Sequence, residues 1–167
     1  MNVQDLNAMK ESGDKEKQLR QSGNTTRITV HMGTCGIASG AQKVLDAVQD
    51  EMSKCGRSDI TITSSGCIGL CSQEPLVTVE ALGKEPVIYH QVDDPKIRKI
   101  FEGHLLKGEV QYEFALARGK AVNEEEGSAN LSGGNGIPHV SELPFFALQK
   151  SWVLRNKGLI DPEKIED

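Results

Sequence analysis

The 167 residues carry 19 Lys and Arg against 24 Asp and Glu, for a formal charge of −5. That balance argues against a nucleic-acid groove, which needs a surplus of Lys and Arg on one face. No apolar run approaches the ~20 residues needed to span a bilayer, and the polar, acid-bearing N-terminus reads as neither signal nor transit peptide, so a cytoplasmic protein without membrane insertion is expected. In that compartment thiols stay reduced, and the four cysteines point to metal binding or redox chemistry rather than to disulfide staples.

Residues 1–25 mix charge with scattered apolar positions and read as a polar leader. From Arg27 the pattern alternates, with Ile28, Val30 and Met32 on one face of a half-buried strand. Ala41, Val44, Leu45, Val48 and Met52 then keep the spacing of an amphipathic helix closed by Gly56, and ITIT (60–63) forms a second strand. Segments 76–82 and 86–92 flank Gly83, Lys84 and Glu85 as a hairpin. Asp94 and Pro95 open a second helix as N-cap and first helical position; Ile97, Ile100, Phe101 and Leu105 mark its buried stripe, and Gly108 ends it.

Strand, helix, strand, hairpin and helix in that order predict an α/β thioredoxin-like fold over 26–118, a parallel βαβ unit completed by an antiparallel hairpin and a last helix. Such a fold often has a cis-proline where Pro75 stands, just before the third strand. Residues 119–136 are rich in Gly, Ser, Asn and Glu without periodicity and read as a flexible linker. The arm that follows, 137–167, holds Phe145, Phe146 and Trp152, which suggests packing on a partner, with folding back onto its own core as the alternative.

The motif SSGCIGLCSQEP (64–75) places Cys67 and Cys71 after the second strand, and Cys35 lies between the first strand and the first helix. In a parallel βαβ unit both loops open on the same sheet edge, so these three thiols can converge. Cys55 sits at the far end of a helix of roughly 14 residues, ~20 Å from that edge at ~1.5 Å per residue, and is expected to be a bystander. A tetrahedral site needs a fourth ligand, and His31, at the end of the first strand, offers an imidazole of the kind that replaces thiolate in some iron–sulfur centres. Gly66 and Gly69 allow tight turns that bring backbone N–H groups towards the sulfurs.

Taken together, GTCGIASGAQKVL (33–45), SSGCIGLCSQEPLVTV (64–79) and VIYHQVDDPKIRKIFEGHLLKGE (87–109) resemble the thioredoxin-like 2Fe-2S ferredoxins, in the form found at the front of NADH-binding flavoprotein subunits of complex I type, multimeric hydrogenases and formate dehydrogenases. The tail KSWVLRNKGLIDPEKIED resembles the lead-in to that flavoprotein core. The resemblance implies a 2Fe-2S cluster on Cys35, Cys67 and Cys71, with His31 near the place where the family pattern has its remaining cysteine. It further implies an electron-transfer module, not catalytic alone, in a hetero-oligomeric complex with an NADH-binding flavoprotein and other iron–sulfur subunits, FMN and NAD(P) being expected on a partner or a missing portion rather than on this chain. The alternatives are a cluster-less structural adaptor, a zinc module built on the same four residues, and a dithiol oxidoreductase using Cys67 and Cys71.

Overall fold

The structure is a computed structural model that describes residues 26–81, 84–119 and 136–147. The leader 1–25, the linker over 120–135 and the arm from 148, with Trp152, lie outside the described residues. Five strands form one sheet: β1 (Thr26–His31), β2 (Ile60–Ser65), β3 (Val77–Ala81), β4 (Val87–Tyr89) and β5 (Ala115–Arg118). Their order is β2-β1-β3-β4-β5, with β1 and β2 parallel and every other pair antiparallel.

A parallel pair cannot be closed by a hairpin, so the chain must cross over between β1 and β2. Two helices make the crossing, α1 (Thr34–Ser39) and α2 (Ala41–Cys55). Gly40 between them stands at φ 104°, a left-handed conformation that suits glycine, and it breaks what would otherwise be one helix. Helix α2 buries Ala41, Val44, Ala47 and Val48. Helix α3 (Asp94–Ile100) is capped by Asp93, whose side chain accepts from Lys96 N at 2.9 Å, one residue earlier than the sequence suggests. It continues as a π-helical stretch, Phe101–Leu106, that ends before Gly108 at φ 74°.

Strand alternation decides which face each residue covers. Ile28 and Val30 of β1, Val77 and Val79 of β3, and Val87 and Tyr89 of β4 join α2 and α3 in the main core. Each fully buried aliphatic or aromatic side chain there contributes roughly 1.5–3 kcal/mol. Arg98 of α3 ties the two helices at the surface by donating to Asp50 and Glu51 of α2 as well as to its own Asp94.

The intervening residue of β4, Ile88, faces the other side of the sheet and builds a second cluster with Leu76, Ala117 and Val140. Ile68 and Leu70 of the cysteine loop, together with Leu143 and Phe146, pack against it. The first part of the arm, 137–147, therefore lies on its own sheet; Arg118 N donates to Pro138 O at 2.9 Å and a one-turn helix, α4 (Pro144–Ala147), carries the two phenylalanines.

The thioredoxin-like α/β order read from the sequence is the order found, with differences of detail. The hairpin strands are shorter than expected. Helix α1 stands where a loop is expected, so Cys35 lies in a first helical turn. Strand β5, which the sequence pattern does not announce, pairs with β4 and closes the far edge.

Candidate metal centre

The cysteine-bearing segments meet at the C-terminal ends of β1 and β2. Parallel register brings His31 opposite Ser65, and Met32 N donates to Ser65 O at 2.7 Å, so the chain leaves both strands side by side. Gly33 and Cys67 then come so close that a Cβ on Gly33 would stand 2.8 Å from both Cβ and N of Cys67. Only a residue without a side chain allows this approach.

Beyond that contact, the Sγ atoms of Cys35, Cys67 and Cys71 lie within 4.8 Å of one another. Those of Cys67 and Cys71 are 3.7 Å apart. Gly69, at φ 100°, turns the loop so that its N–H donates to Cys67 Sγ at 3.2 Å. Burial pushes the Cys67 thiol up, and this N–H pulls the other way by favouring the thiolate. Cys71 is exposed while Cys35 and Cys67 are half-buried, so the site opens to the surface on the Cys71 side.

The loop is held from behind. Gln91 N donates to Gln73 O at 2.8 Å, Val92 N to Pro75 O at 3.0 Å, and His90 Nδ1 bonds Gln73 Oε1 at 2.9 Å. The Glu74–Pro75 peptide is cis. Phe145 of the arm lies over Gly69, near enough that a Cβ there would meet its ring at 3.2 Å.

Cys55, at the end of α2, packs against the main core and is not in this group. The structure also does not bring His31 into it. Strand alternation turns the imidazole to the face away from Ile28 and Val30, where it is 4 % exposed. Its Nδ1 stands 3.2 Å from Gly66 O and 3.0 Å from Ser65 Oγ, and its Nε2 2.9 Å from Thr78 Oγ1. A carbonyl oxygen can only accept, so Nδ1 carries the proton and Nε2 accepts the Thr78 hydroxyl. The lone pair that a metal would need is engaged.

The residue that sequence reasoning missed is Glu74. Its carboxylate is buried at 6 % exposure, with Oε2 accepting from Leu76 N at 2.8 Å and Oε1 3.9 Å from Cys35 Sγ. The signal in the sequence was slight: an acid two residues from an apolar strand, beside a cysteine motif and ahead of a proline. Three soft sulfur donors with a carboxylate beside them suit zinc or an iron–sulfur group and disfavour hard cations such as calcium or magnesium.

No protein-family model matches the chain. Among known proteins it is 33 % identical over 94 residues to the NADP-reducing hydrogenase subunit HndB of Solidesulfovibrio fructosivorans, a match that spans 56 % of this chain and 74 % of that one. It is 31 % identical over 78 residues to a 2Fe-2S ferredoxin of Clostridium pasteurianum, spanning 47 % of this chain and 74 % of the ferredoxin. The fold superposes on the thioredoxin-like [2Fe-2S] ferredoxin from Aquifex aeolicus with a TM-score of 0.51 at 22 % identity, covering 58 % of this chain and 94 % of that structure. Fold, converging cysteines and sequence identity agree, and the chain belongs to the family of thioredoxin-like 2Fe-2S ferredoxins that includes the HndB hydrogenase subunit.

Proposed function

We propose that the chain is an electron-transfer module that holds a 2Fe-2S cluster through Cys35, Cys67 and Cys71. The observation that carries this reading is the convergence of those three Sγ atoms within 4.8 Å from two segments 32 or more residues apart in sequence. The donor set fits the group, since thiolates are the usual ligands of such clusters. When bound, a 2Fe-2S cluster accepts and returns one electron.

The protein supplies the rest. Cys67 receives the Gly69 N–H, a donor of the kind that raises a cluster's potential by stabilising charge on sulfur. Ile68 and Leu70 anchor the loop in the second cluster of apolar residues and keep water from its rear. The exposed Cys71 gives the shortest route between the site and a redox partner.

As for that partner, HndB is a subunit of a hydrogenase, which supports a place for this chain in a multi-subunit oxidoreductase. The further reading is that an NADH-binding flavoprotein and other iron–sulfur subunits surround it and that FMN and NAD(P) reside on them. Anaerobic purification followed by iron, sulfide and zinc quantitation and EPR of the reduced protein tests the function. Two irons and two sulfides per chain with an S = 1/2 signal on reduction are expected; stoichiometric zinc, or metal-free protein after reconstitution with ferrous iron and sulfide, would overturn it.

A further inference from the structure

A cluster of two tetrahedral irons needs four protein ligands, and three cysteines leave one place open. His31 does not fill it, because Nε2 is engaged by Thr78 and Nδ1 by Gly66 and Ser65. Cys55 is at the wrong end of α2. Glu74 also lies outside the group of three sulfurs within 4.8 Å of one another, but its Oε1 is 3.9 Å from Cys35 Sγ.

All three sulfurs lie within 4.8 Å of one another, and two of the distances in the site match those between ligands of one metal. Metal–sulfur bonds of ~2.3 Å at a tetrahedral angle place two thiolates on one metal ~3.8 Å apart. Cys67 and Cys71 are 3.7 Å apart, as two ligands of the same iron would be. With a metal–oxygen bond of ~2.0 Å, a thiolate and a carboxylate oxygen on one metal stand ~3.5 Å apart. Cys35 Sγ and Glu74 Oε1 are at 3.9 Å, within a small adjustment of that value.

The carboxylate is also held as a ligand needs to be. Its second oxygen receives the Leu76 N–H at 2.8 Å, which fixes the orientation of the first. Gly36 opens the space beside it; a Cβ on Gly36 would stand 3.2 Å from Oε2 and 2.3 Å from His31 O. A buried carboxylate with one oxygen on a backbone amide and the other on a thiol has no cation to compensate it among the contacts described.

We propose that Glu74 is the fourth ligand of the site, its Oε1 joining the Cys35 thiolate on one iron while Cys67 and Cys71 hold the other. The inference rests on the ferredoxin reading above. Assembly would release the three thiol protons to solvent and form three Fe–S bonds and one Fe–O bond to the protein. A carboxylate leaves the whole centre with the same charge as four thiolates would, whereas a neutral imidazole in that place would make it one unit more positive.

The test is ⁵⁷Fe Mössbauer spectroscopy of the full chain reconstituted anaerobically with ferrous iron and sulfide and then oxidised with ferricyanide, which takes up the electrons released as the irons become ferric, alongside the rate of iron loss to a chelator. In the oxidised wild type, two distinct iron environments are expected, one all-sulfur and one with oxygen. Glu74→Gln should release iron at least tenfold faster and alter only the oxygen-bearing site. Glu74→Cys should keep two irons and merge the two environments into one all-sulfur type. A single environment in the wild type, or a Glu74→Gln protein with unchanged spectrum and iron-release rate, would overturn the Glu74 assignment while leaving the ferredoxin reading intact. A wild type that takes up no cluster would overturn both.

Discussion

The imidazole of His31 accepts the Thr78 hydroxyl at 2.9 Å across the β1–β3 pair, and this makes it a fastener between strands. Replacing it with alanine removes the partner of the half-buried Thr78 hydroxyl and leaves a cavity at a position only 4 % exposed, while Ser65 keeps its bond to Gly66 O. Such losses cost about 2–4 kcal/mol. We expect His31→Ala to lower the urea midpoint by that equivalent while the reconstituted protein still carries two irons. Loss of iron at full fold stability would return the imidazole to the ligand set.

Cysteine replacement separates the site from the bystander. Cys35→Ser, Cys67→Ser and Cys71→Ser should each lower iron content or convert the visible spectrum, whereas Cys55→Ser, whose thiol donates to Met52 O at 3.4 Å away from the site, should leave both as they are. Optical spectra taken before and after anaerobic desalting would show the contrast.

At Gly33 the smallest possible addition has a large expected effect. An alanine methyl would stand 2.8 Å from Cys67 Cβ and N, and backbone on both sides resists yielding. Gly33→Ala should cost about 1–3 kcal/mol by overpacking and spread the cysteine segments. Its iron stoichiometry on reconstitution is the quantity to watch; a full complement would show that the contact can relax.

His104 sets an acid limit to stability. It is 4 % exposed and its Nδ1 shares a hydrogen bond with the Tyr89 hydroxyl at 2.7 Å, while that oxygen accepts from Gln111 N at 3.2 Å. Burial, with a lesser contribution from Lys84, lowers its pKa from 6.5 to about 4. The folded state therefore holds neutral imidazole, and its contribution is complete above pH 6.5, declining as pH falls towards 4. The difference corresponds to about 3 kcal/mol across that window. His104→Gln keeps an acceptor for Tyr89 without a titrating ring, so the fall in melting temperature between pH 6.5 and 4 should be smaller by that equivalent; parallel profiles for the two proteins would refute the assignment. Tyr89, pushed up to about 12 by burial, acts at the other end: its unfolded form ionises first, so stability falls as pH rises from 10.

Much of this architecture was legible because its signals are periodic. Ile28 and Val30 alternate, Val44 and Val48 repeat at a helical interval, and from those two patterns follow the βαβ unit and the convergence of Cys35 with Cys67 and Cys71. The helix α1 was not legible, because six residues containing Gly36 and followed by Gly40 look like loop. Strand β5 is four residues, ALAR, defined by its pairing with β4 rather than by its own pattern. The surroundings of His31 and Glu74 were hidden in the sequence for a related reason. Sequence adjacency placed His31 near the cysteines but could not say which way its ring turns, and Glu74 reaches the site through the return of a loop that has no period at all.

The three converging cysteines come from segments that become neighbours only when β1 and β2 are in parallel register, across a crossover of 28 residues from Met32 to Asp59. Until that long-range pairing is made, a nascent chain offers Cys67, Cys71 and Glu74 from one short segment but not Cys35, and so only two of the three sulfurs. Cofactor capture should thus trail folding in time, and a bound cluster would act as a clasp on the most entropically expensive connection in the domain, so that thermal unfolding and bleaching occur as one event.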